Sequence, residues 1–168
     1  MAKSLDDLPP RAALVEIARD FHARGWMAGT AGNLSAREDP QHFWITASGV
    51  PKGRLDEGDF LLVRIADGQV IEARDPRDRP SAETAIHRAI YKLFPHAGAC
   101  LHGHGVEMCL AATRAKPGAK ALRLPAIEMI KGFDIWEKNP KVDLPLFENL
   151  LDVSEIAQAI AVRFAKTP

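Results

Sequence analysis

The sequence of 168 residues has no excess charge of either sign, since 22 Lys and Arg residues balance 22 Asp and Glu residues. A general nucleic-acid-binding protein needs surplus basic charge to displace counterions from phosphates, so this balance argues against one. No apolar run approaches the roughly 20 residues that span a bilayer, and the charged stretch 1–10 lacks the apolar centre of a signal peptide. We therefore expect a cytoplasmic protein that contacts neither nucleic acid nor membrane.

Cysteine is also scarce. The two cysteines, Cys100 and Cys109, lie in apolar stretches, and two thiols do not make a disulfide framework. Hydrophobic residues make up 46% of the sequence and charged residues 26%, which is typical of a folded globular protein. A chain of this length buries roughly 69% of its unfolded surface, enough for one core. We therefore expect a single domain over residues 1–168.

The pattern of apolar residues alternates between helical and extended periods. Helical spacing predicts helices at 11–25, 106–113 and 154–165, and another that Ser81 caps and Pro95 ends. Extended segments predict strands at 42–46, 60–65, 70–73, 97–101 and 144–147, and a strand with a loop at 122–130. The small-residue stretch 29–35 is interpreted as a loop. A hairpin at Asp67-Gly68 favours an α/β fold with a mostly antiparallel sheet and flanking helices.

The sharpest candidate for a metal site is His102-Gly-His104. Residues i and i+2 of an extended segment point to the same face, so both imidazoles can meet one divalent ion such as Zn²⁺. Alone, the pair could equally be two surface or core histidines. The remaining histidines, which we expect to be ordinary surface or helix residues, are His22, His42, His87 and His96.

Two short turns are rich in hydroxyl and backbone N–H donors. They are Gly29-Thr-Ala-Gly-Asn-Leu-Ser35 and Thr46-Ala-Ser-Gly49, and Ser81 is a third candidate donor. Turns of this kind bind anions such as phosphate without net basic charge, although each could also be only a tight turn. Neither matches a P-loop or a dinucleotide fingerprint.

Two carboxylates are candidates for proton transfer. Glu128 lies in the apolar run Ile127-Glu-Met-Ile130, where burial would favour its protonated form. The alternative is an edge strand with Glu128 on its wet face. Glu83 lies in the first turn after Ser81, where a carboxylate also complements the helix dipole.

Taken together and in order, these segments resemble the class II aldolase/adducin family of metal-dependent phosphosugar enzymes. The stretches that carry the resemblance are Gly29-Thr-Ala-Gly-Asn-Leu-Ser35, Ile45-Thr-Ala-Ser-Gly-Val50, Pro80-Ser-Ala-Glu83 and His102-Gly-His104. The resemblance implies the three-layer α/β/α class II aldolase fold. It also implies a homotetramer with one Zn²⁺ per subunit, bound by His102 and His104.

The second half is most similar to the family members that dehydrate 5-methylthioribulose 1-phosphate in methionine salvage. Glu128-Met-Ile-Lys-Gly132 and Leu144-Pro-Leu-Phe147 carry this similarity, together with Asn149. In those members the Glu at position 128 is the acid/base residue. In the sugar-phosphate aldolases of the family it is the Glu at position 83. An aldolase and an adducin-like, non-catalytic binding domain therefore remain alternatives.

The family also implies the rest of the site. Its substrate phosphate would rest on Asn33, Ser48, Gly49 and Ser81. Lys52 could add charge there, although we expect a solvated surface lysine. Members usually supply a third metal histidine after the last helix, so we expect a further ligand beyond Pro168 and a C-terminal segment that this chain lacks.

Overall fold

The computed structural model describes residues 4–165, which form two compact units. The first unit comprises residues up to 105 and from 150 onwards. Its elements are α1 (Pro10–Ala23), β1 (Asn33–Arg37), β2 (His42–Thr46), β3 (Phe60–Arg64), β4 (Val70–Glu72), α2 (Thr84–Leu93), β5 (Ala99–His102) and α4 (Val153–Phe164), with 3₁₀ helices at Leu5–Asp7, Lys52–Arg54 and Glu57–Asp59. The second unit, residues 106–149, contains α3 (Val106–Thr113), β6 (Ala121–Arg123), a 3₁₀ helix (Glu128–Phe133) and β7 (Asp143–Pro145).

The sheet of the first unit has five strands in the order β4-β3-β2-β1-β5, and every neighbouring pair is antiparallel. This confirms the expected mostly antiparallel sheet. The prediction of a loop over 29–35 is wrong for its second part, because Asn33–Arg37 forms β1. Ser35 of β1 pairs with Ile45 on one side and with Cys100 on the other.

Helices cover both faces of this sheet, as the expected α/β/α layers require. Side chains alternate along a strand, so Leu34 and Ala36 of β1 pack with Leu14 of α1 in one core cluster. Phe43 of β2 packs with Tyr91 of α2 in the other cluster. Helix α4 packs against α2. The opposite side chains of β1, those of Asn33 and Ser35, consequently face α2.

The start of α2 differs from the prediction. Glu83, not Ser81, occupies the N-cap position, and α2 begins at Thr84. Ser81 instead forms a separate turn, because its carbonyl accepts the Thr84 N–H at 3.1 Å while its own N–H donates to the Thr46 carbonyl at 3.1 Å. That second bond holds residue 81 at the end of β2.

The second unit has little core. Ile130 is the only buried residue of 106–149, and all of the other residues in that range are at least partly exposed. The strand predicted within 122–130 is three residues long and pairs with β7, and Glu128–Phe133 is a 3₁₀ helix. Among the helices of residues 4–165, none has the length and apolarity to cross a membrane.

Candidate active site

His102 and His104 lie together at the end of β5. Their ring centroids are 4.7 Å apart. His102 is paired with Asn33 in the sheet, and the His104 N–H donates to the Trp26 carbonyl at 2.7 Å, so the backbone is held on both sides of the pair. Two neighbouring imidazoles form the beginning of a divalent metal site.

The surroundings of His102 fit such a role. Its Nδ1–H donates to the Oε2 atom of Glu83, so its Nε2 lone pair is left for a metal. A carboxylate on the second ring nitrogen is the usual arrangement around a metal-ligating histidine, because it fixes the ring and its tautomer. Within residues 4–165, no group of three or more His, Cys, Asp or Glu side chains forms a metal cluster. The described part of the chain therefore offers two imidazoles that could hold a metal.

A buried chain of hydrogen bonds stands behind Glu83. The Asn33 Nδ2 donates to Glu83 Oε2, and the Asn33 Oδ1 accepts from His87 Nε2. The Ser35 hydroxyl lies 2.6 Å from His87 Nδ1 and 2.8 Å from the Tyr91 hydroxyl. Asn33, Ser35, His87 and Tyr91 are all buried, with at most 3% of each residue exposed.

The chemistry of these groups fixes the direction of every bond. The Asn33 oxygen only accepts, so His87 Nε2 carries the hydrogen. Burial, with a smaller contribution from His102, lowers the pKa of His87 to about 4, so its Nδ1 is an unprotonated acceptor at neutral pH. Ser35 therefore donates to His87, and Tyr91, whose pKa burial raises, donates to Ser35. All donors point towards the Glu83 carboxylate.

The donor-rich turns are drawn together around the end of β2. Ala47 forms an isolated antiparallel bridge with Pro80, and the Ser48 N–H donates to the Arg79 carbonyl at 2.8 Å. This places the exposed Ser48-Gly49 turn beside Ser81. Gly49 has a φ of +76° and open space where a side chain would stand.

Asn33 is the exception among the predicted phosphate contacts. Its residue is 3% exposed, and both ends of its amide already bond to Glu83 and His87. Its phosphate contact remains a prediction, and its geometry is that of a residue that positions Glu83.

Lys52 is not the solvated surface lysine that the sequence suggested. It is 2% exposed, and its Nζ donates to the carbonyls of Thr30 and Val50, each at 3.0 Å. The residues next to Lys52 in the sequence did not indicate this burial. It results from the 3₁₀ turn at Lys52–Arg54, in which the Lys52 side chain is buried.

Glu128 lies in the second unit, at the start of the 3₁₀ helix. The expectation that its apolar neighbours bury it is wrong, since 85% of its side chain is exposed. Ile127 and Met129 are themselves 50% and 80% exposed, and only Ile130 turns inwards. The Glu128 Oε1 accepts a hydrogen bond from Lys131 at 3.2 Å, beside a cavity of about 200 Å³ within this unit.

Ser35, His87 and Tyr91 belong to the site although the sequence did not predict them there. A signal for them exists, because Glu83, His87 and Tyr91 follow one another at intervals of four residues. That spacing aligns His87 and Tyr91 on one face of α2 with Glu83 at its N-cap. Asn33 and Ser35 are two apart, on one face of β1.

Three comparisons relate this geometry to known proteins. The family model of the class II aldolase and adducin N-terminal domain matches residues 12–167. A curated methylthioribulose-1-phosphate dehydratase of Microcystis aeruginosa is 53% identical over 159 residues, which cover 95% of this chain and 76% of the relative. One of Leptospira biflexa is 40% identical over 151 residues, covering 88% and 72%. The crystal structure of l-fuculose-1-phosphate aldolase from Thermus thermophilus matches with a TM-score of 0.66 and 27% identity, over 90% of this chain and 68% of that one.

Proposed function

The chain belongs to the family of class II aldolases and adducin N-terminal domains, and from this premise we propose that it dehydrates 5-methylthioribulose 1-phosphate in methionine salvage. The observation that carries the proposal is the 53% identity to a methylthioribulose-1-phosphate dehydratase over 95% of the chain. The product is 2,3-diketo-5-methylthiopentyl 1-phosphate. Water is lost as a proton from C3 and the hydroxyl from C4, and the resulting enol becomes the diketone.

The family is typically metal-dependent, and we propose Zn²⁺, one per subunit, bound by His102 and His104. When bound, the ion supplies a Lewis acid that stabilises negative charge on the substrate oxygens next to the C3 proton. Glu83 holds the His102 ring through Nδ1. The Asn33 amide, which the buried residues behind it hold in place, donates to the same carboxylate and helps to orient it.

Glu128 is the proposed acid that protonates the departing C4 hydroxyl. Support comes from the similarity of 128–132 to the dehydratases, whereas the carboxyl group itself is exposed and accepts a hydrogen bond from Lys131. Glu83, by contrast, already accepts from Asn33 and His102 and is poorly placed to donate. For the phosphate we propose Ser48, Gly49 and Ser81, whose segments the bridge at Ala47 joins, and Asn33 as the family resemblance implies.

A sugar-phosphate aldolase is the second candidate function. The contact between Glu83 and His102 favours it, because an aldolase of this family uses the carboxylate at position 83. Such an enzyme would cleave the C3–C4 bond of a related phosphosugar and release an aldehyde.

The proposal includes a cytoplasmic homotetramer. Both cysteines are free thiols, as in a reducing compartment. Large apolar side chains on α3 are exposed, which supports association of several copies.

Comparison of Glu128→Gln with Glu83→Gln tests the function. Glu128→Gln keeps the size of the side chain but removes its titratable proton, so we expect it to retain zinc and lose roughly 10²–10⁴-fold in kcat. Glu83→Gln removes the carboxylate that orients His102, so we expect zinc affinity to fall about 10–100-fold. A zinc titration measures the zinc affinity of each variant, and a product assay measures its kcat.

The wild-type protein should form the diketone without an aldehyde. An aldehyde product, with Glu83→Gln the more damaging change at saturating zinc, would replace the dehydratase by the aldolase. Diketone formation that survives Glu128→Gln at full rate would remove Glu128 from the mechanism.

A further inference from the structure

Lys52 is a buried cation without an acidic partner. It is 2% exposed, and among the ion pairs of residues 4–165 none includes its ammonium group. Burying an unpaired charge costs free energy, because the ammonium leaves water without gaining an opposite charge. Burial accordingly lowers the pKa of Lys52 below its ordinary value of 10.5.

The ammonium group joins the two donor-rich turns. Its Nζ donates to the Thr30 carbonyl of the first turn and to the Val50 carbonyl directly after the second, each at 3.0 Å. The Lys52 N–H also donates to the Gly29 carbonyl, at 2.9 Å. One side chain therefore fixes the spacing of the segments on either side of it.

The solvent side of these turns is lined with donors. Thr30, Ser48 and Gly49 are exposed, directly along the chain from the carbonyls that Lys52 holds. An ammonium group has three N–H donors, and the two carbonyls use two of them. The Lys52 ammonium is a buried positive charge that bonds to the backbone on both sides, and the hydroxyl-bearing Thr30 and Ser48 beside it are exposed. This combination of charge and hydroxyl donors favours a multiply charged oxyanion.

We propose that Lys52 is a positioning residue that makes the surface formed by Thr30, Ser48 and Gly49 selective for a phosphate dianion. It acts by setting the spacing of the two turns and by placing a buried positive charge between them. This inference rests on the proposed function only in that the substrate ends in a phosphate group. A purely structural clamp would hold the turns without changing which anion binds.

Binding of inorganic phosphate tests the role without the sugar. We expect Lys52→Met, which keeps the length of the side chain and removes its charge, to raise the Kd for inorganic phosphate at least ten-fold in calorimetry, since a charge-assisted interaction is lost. The matched control is Lys92→Met, because Lys92 is an exposed lysine whose Nζ also donates to a backbone carbonyl, that of Ala66 at 2.9 Å. The control should bind phosphate as the wild type does. An unchanged Kd in folded Lys52→Met would overturn the proposal.

A measurement on the wild type covers the case in which Lys52→Met does not fold. The ¹⁵N signal of the buried ammonium should shift as phosphate is added and saturate at the Kd found by calorimetry. A signal that does not respond while phosphate binds would also overturn the proposal.

The two proposals fail separately. If the wild-type protein dehydrates the sugar and Lys52→Met leaves the Kd for phosphate unchanged, only this inference is overturned. Phosphate binding that depends on Lys52, in a protein that forms no diketone, would overturn only the proposed reaction.

Discussion

The imidazole of His87 sets the position of each hydrogen along the buried chain from Tyr91 to Glu83. Burial lowers the pKa of His87 from its ordinary 6.5 to about 4, so the folded protein keeps it neutral where the unfolded chain already binds a proton. The unfolded state therefore gains protons first as pH falls. The free energy of unfolding should decrease between pH 6.5 and pH 4 and recover above pH 6.5.

Replacement of His87 isolates this contribution. A shift of this size corresponds to about 3 kcal/mol, and we expect His87→Gln to lack that part of the decrease, since glutamine does not titrate. Urea unfolding of the wild type and the variant at several pH values between 4 and 7 measures the difference. The exposed His96, replaced by Gln, serves as control. Parallel pH profiles for wild type and His87→Gln would contradict the assignment.

At the scale of elements, the turn before β1 lies against the end of β5. Gly32 has a φ of +77°, and a Cβ at this position would lie 2.8 Å from the carbonyl oxygen of His102. The next residue, Asn33, is paired with His102 across the two strands. Only glycine allows the turn to approach the backbone of the His102-Gly-His104 segment so closely.

Comparison of Gly32→Ala with Gly29→Ala separates the backbone strain of a positive φ from a steric clash with the His102 backbone. Both glycines have positive φ, so alanine at either position should destabilise the fold by about 1 kcal/mol. Gly29 has open space around it, whereas a side chain at Gly32 would displace the His102 backbone. We expect only Gly32→Ala to lower zinc affinity, about ten-fold or more, in a titration run beside urea unfolding. Equal zinc affinities in the two variants would contradict this role.

The sequence predicted the elements whose periodicity is strong. Strand β2 and helix α3 have the predicted bounds, and the antiparallel sheet between helices follows from the hairpins. Strand β1 was missed because the glycines before it suggested a loop, although Asn33–Ala36 alternates polar and apolar side chains. Asn33 and Ser35 are polar, so the sequence offered no reason to expect them to be buried. Their burial depends on the buried partner His87, which a local pattern does not reveal.

Among the site residues, contacts between sequence neighbours were predictable and contacts between distant residues were not. His102 and His104 are two apart in sequence, so their proximity was predictable from strand geometry. The contact between Glu83 and Asn33 joins residues 50 positions apart and depends on how α2 lies on the sheet. Local patterns do not contain that information, nor the inward turn of Lys52.

At the scale of the whole molecule, apolar surface is unevenly distributed. Helix α3 contains no buried residue, and Val106, Met108 and Leu110 are 63%, 59% and 60% exposed. Val106 and Leu110, four residues apart, share one face of α3, and exposed apolar side chains on one face favour contact with another molecule. The exposed apolar surface of α3 therefore supports the proposed homotetramer.

Light scattering coupled to size exclusion tests the assembly. We expect a mass of four chains for the wild type and a smaller assembly for Leu110→Glu, because a carboxylate on an apolar contact surface is costly to bury. Arg114→Glu, a charge change just after α3, is the control and should leave the mass unchanged. A monomeric wild type, or a tetramer that tolerates Leu110→Glu, would place the contact elsewhere or remove it.

The amide of Asn33 gives the buried hydrogen-bond chain a further property. A proton hops along hydroxyls and imidazoles because each can accept it and release another, but a carboxamide accepts on oxygen and donates from nitrogen and does not exchange the two at neutral pH. Asn33 therefore interrupts any proton wire between His87 and Glu83. The chain therefore orients the Glu83 carboxylate without carrying protons to it from the buried imidazole and hydroxyls behind Asn33.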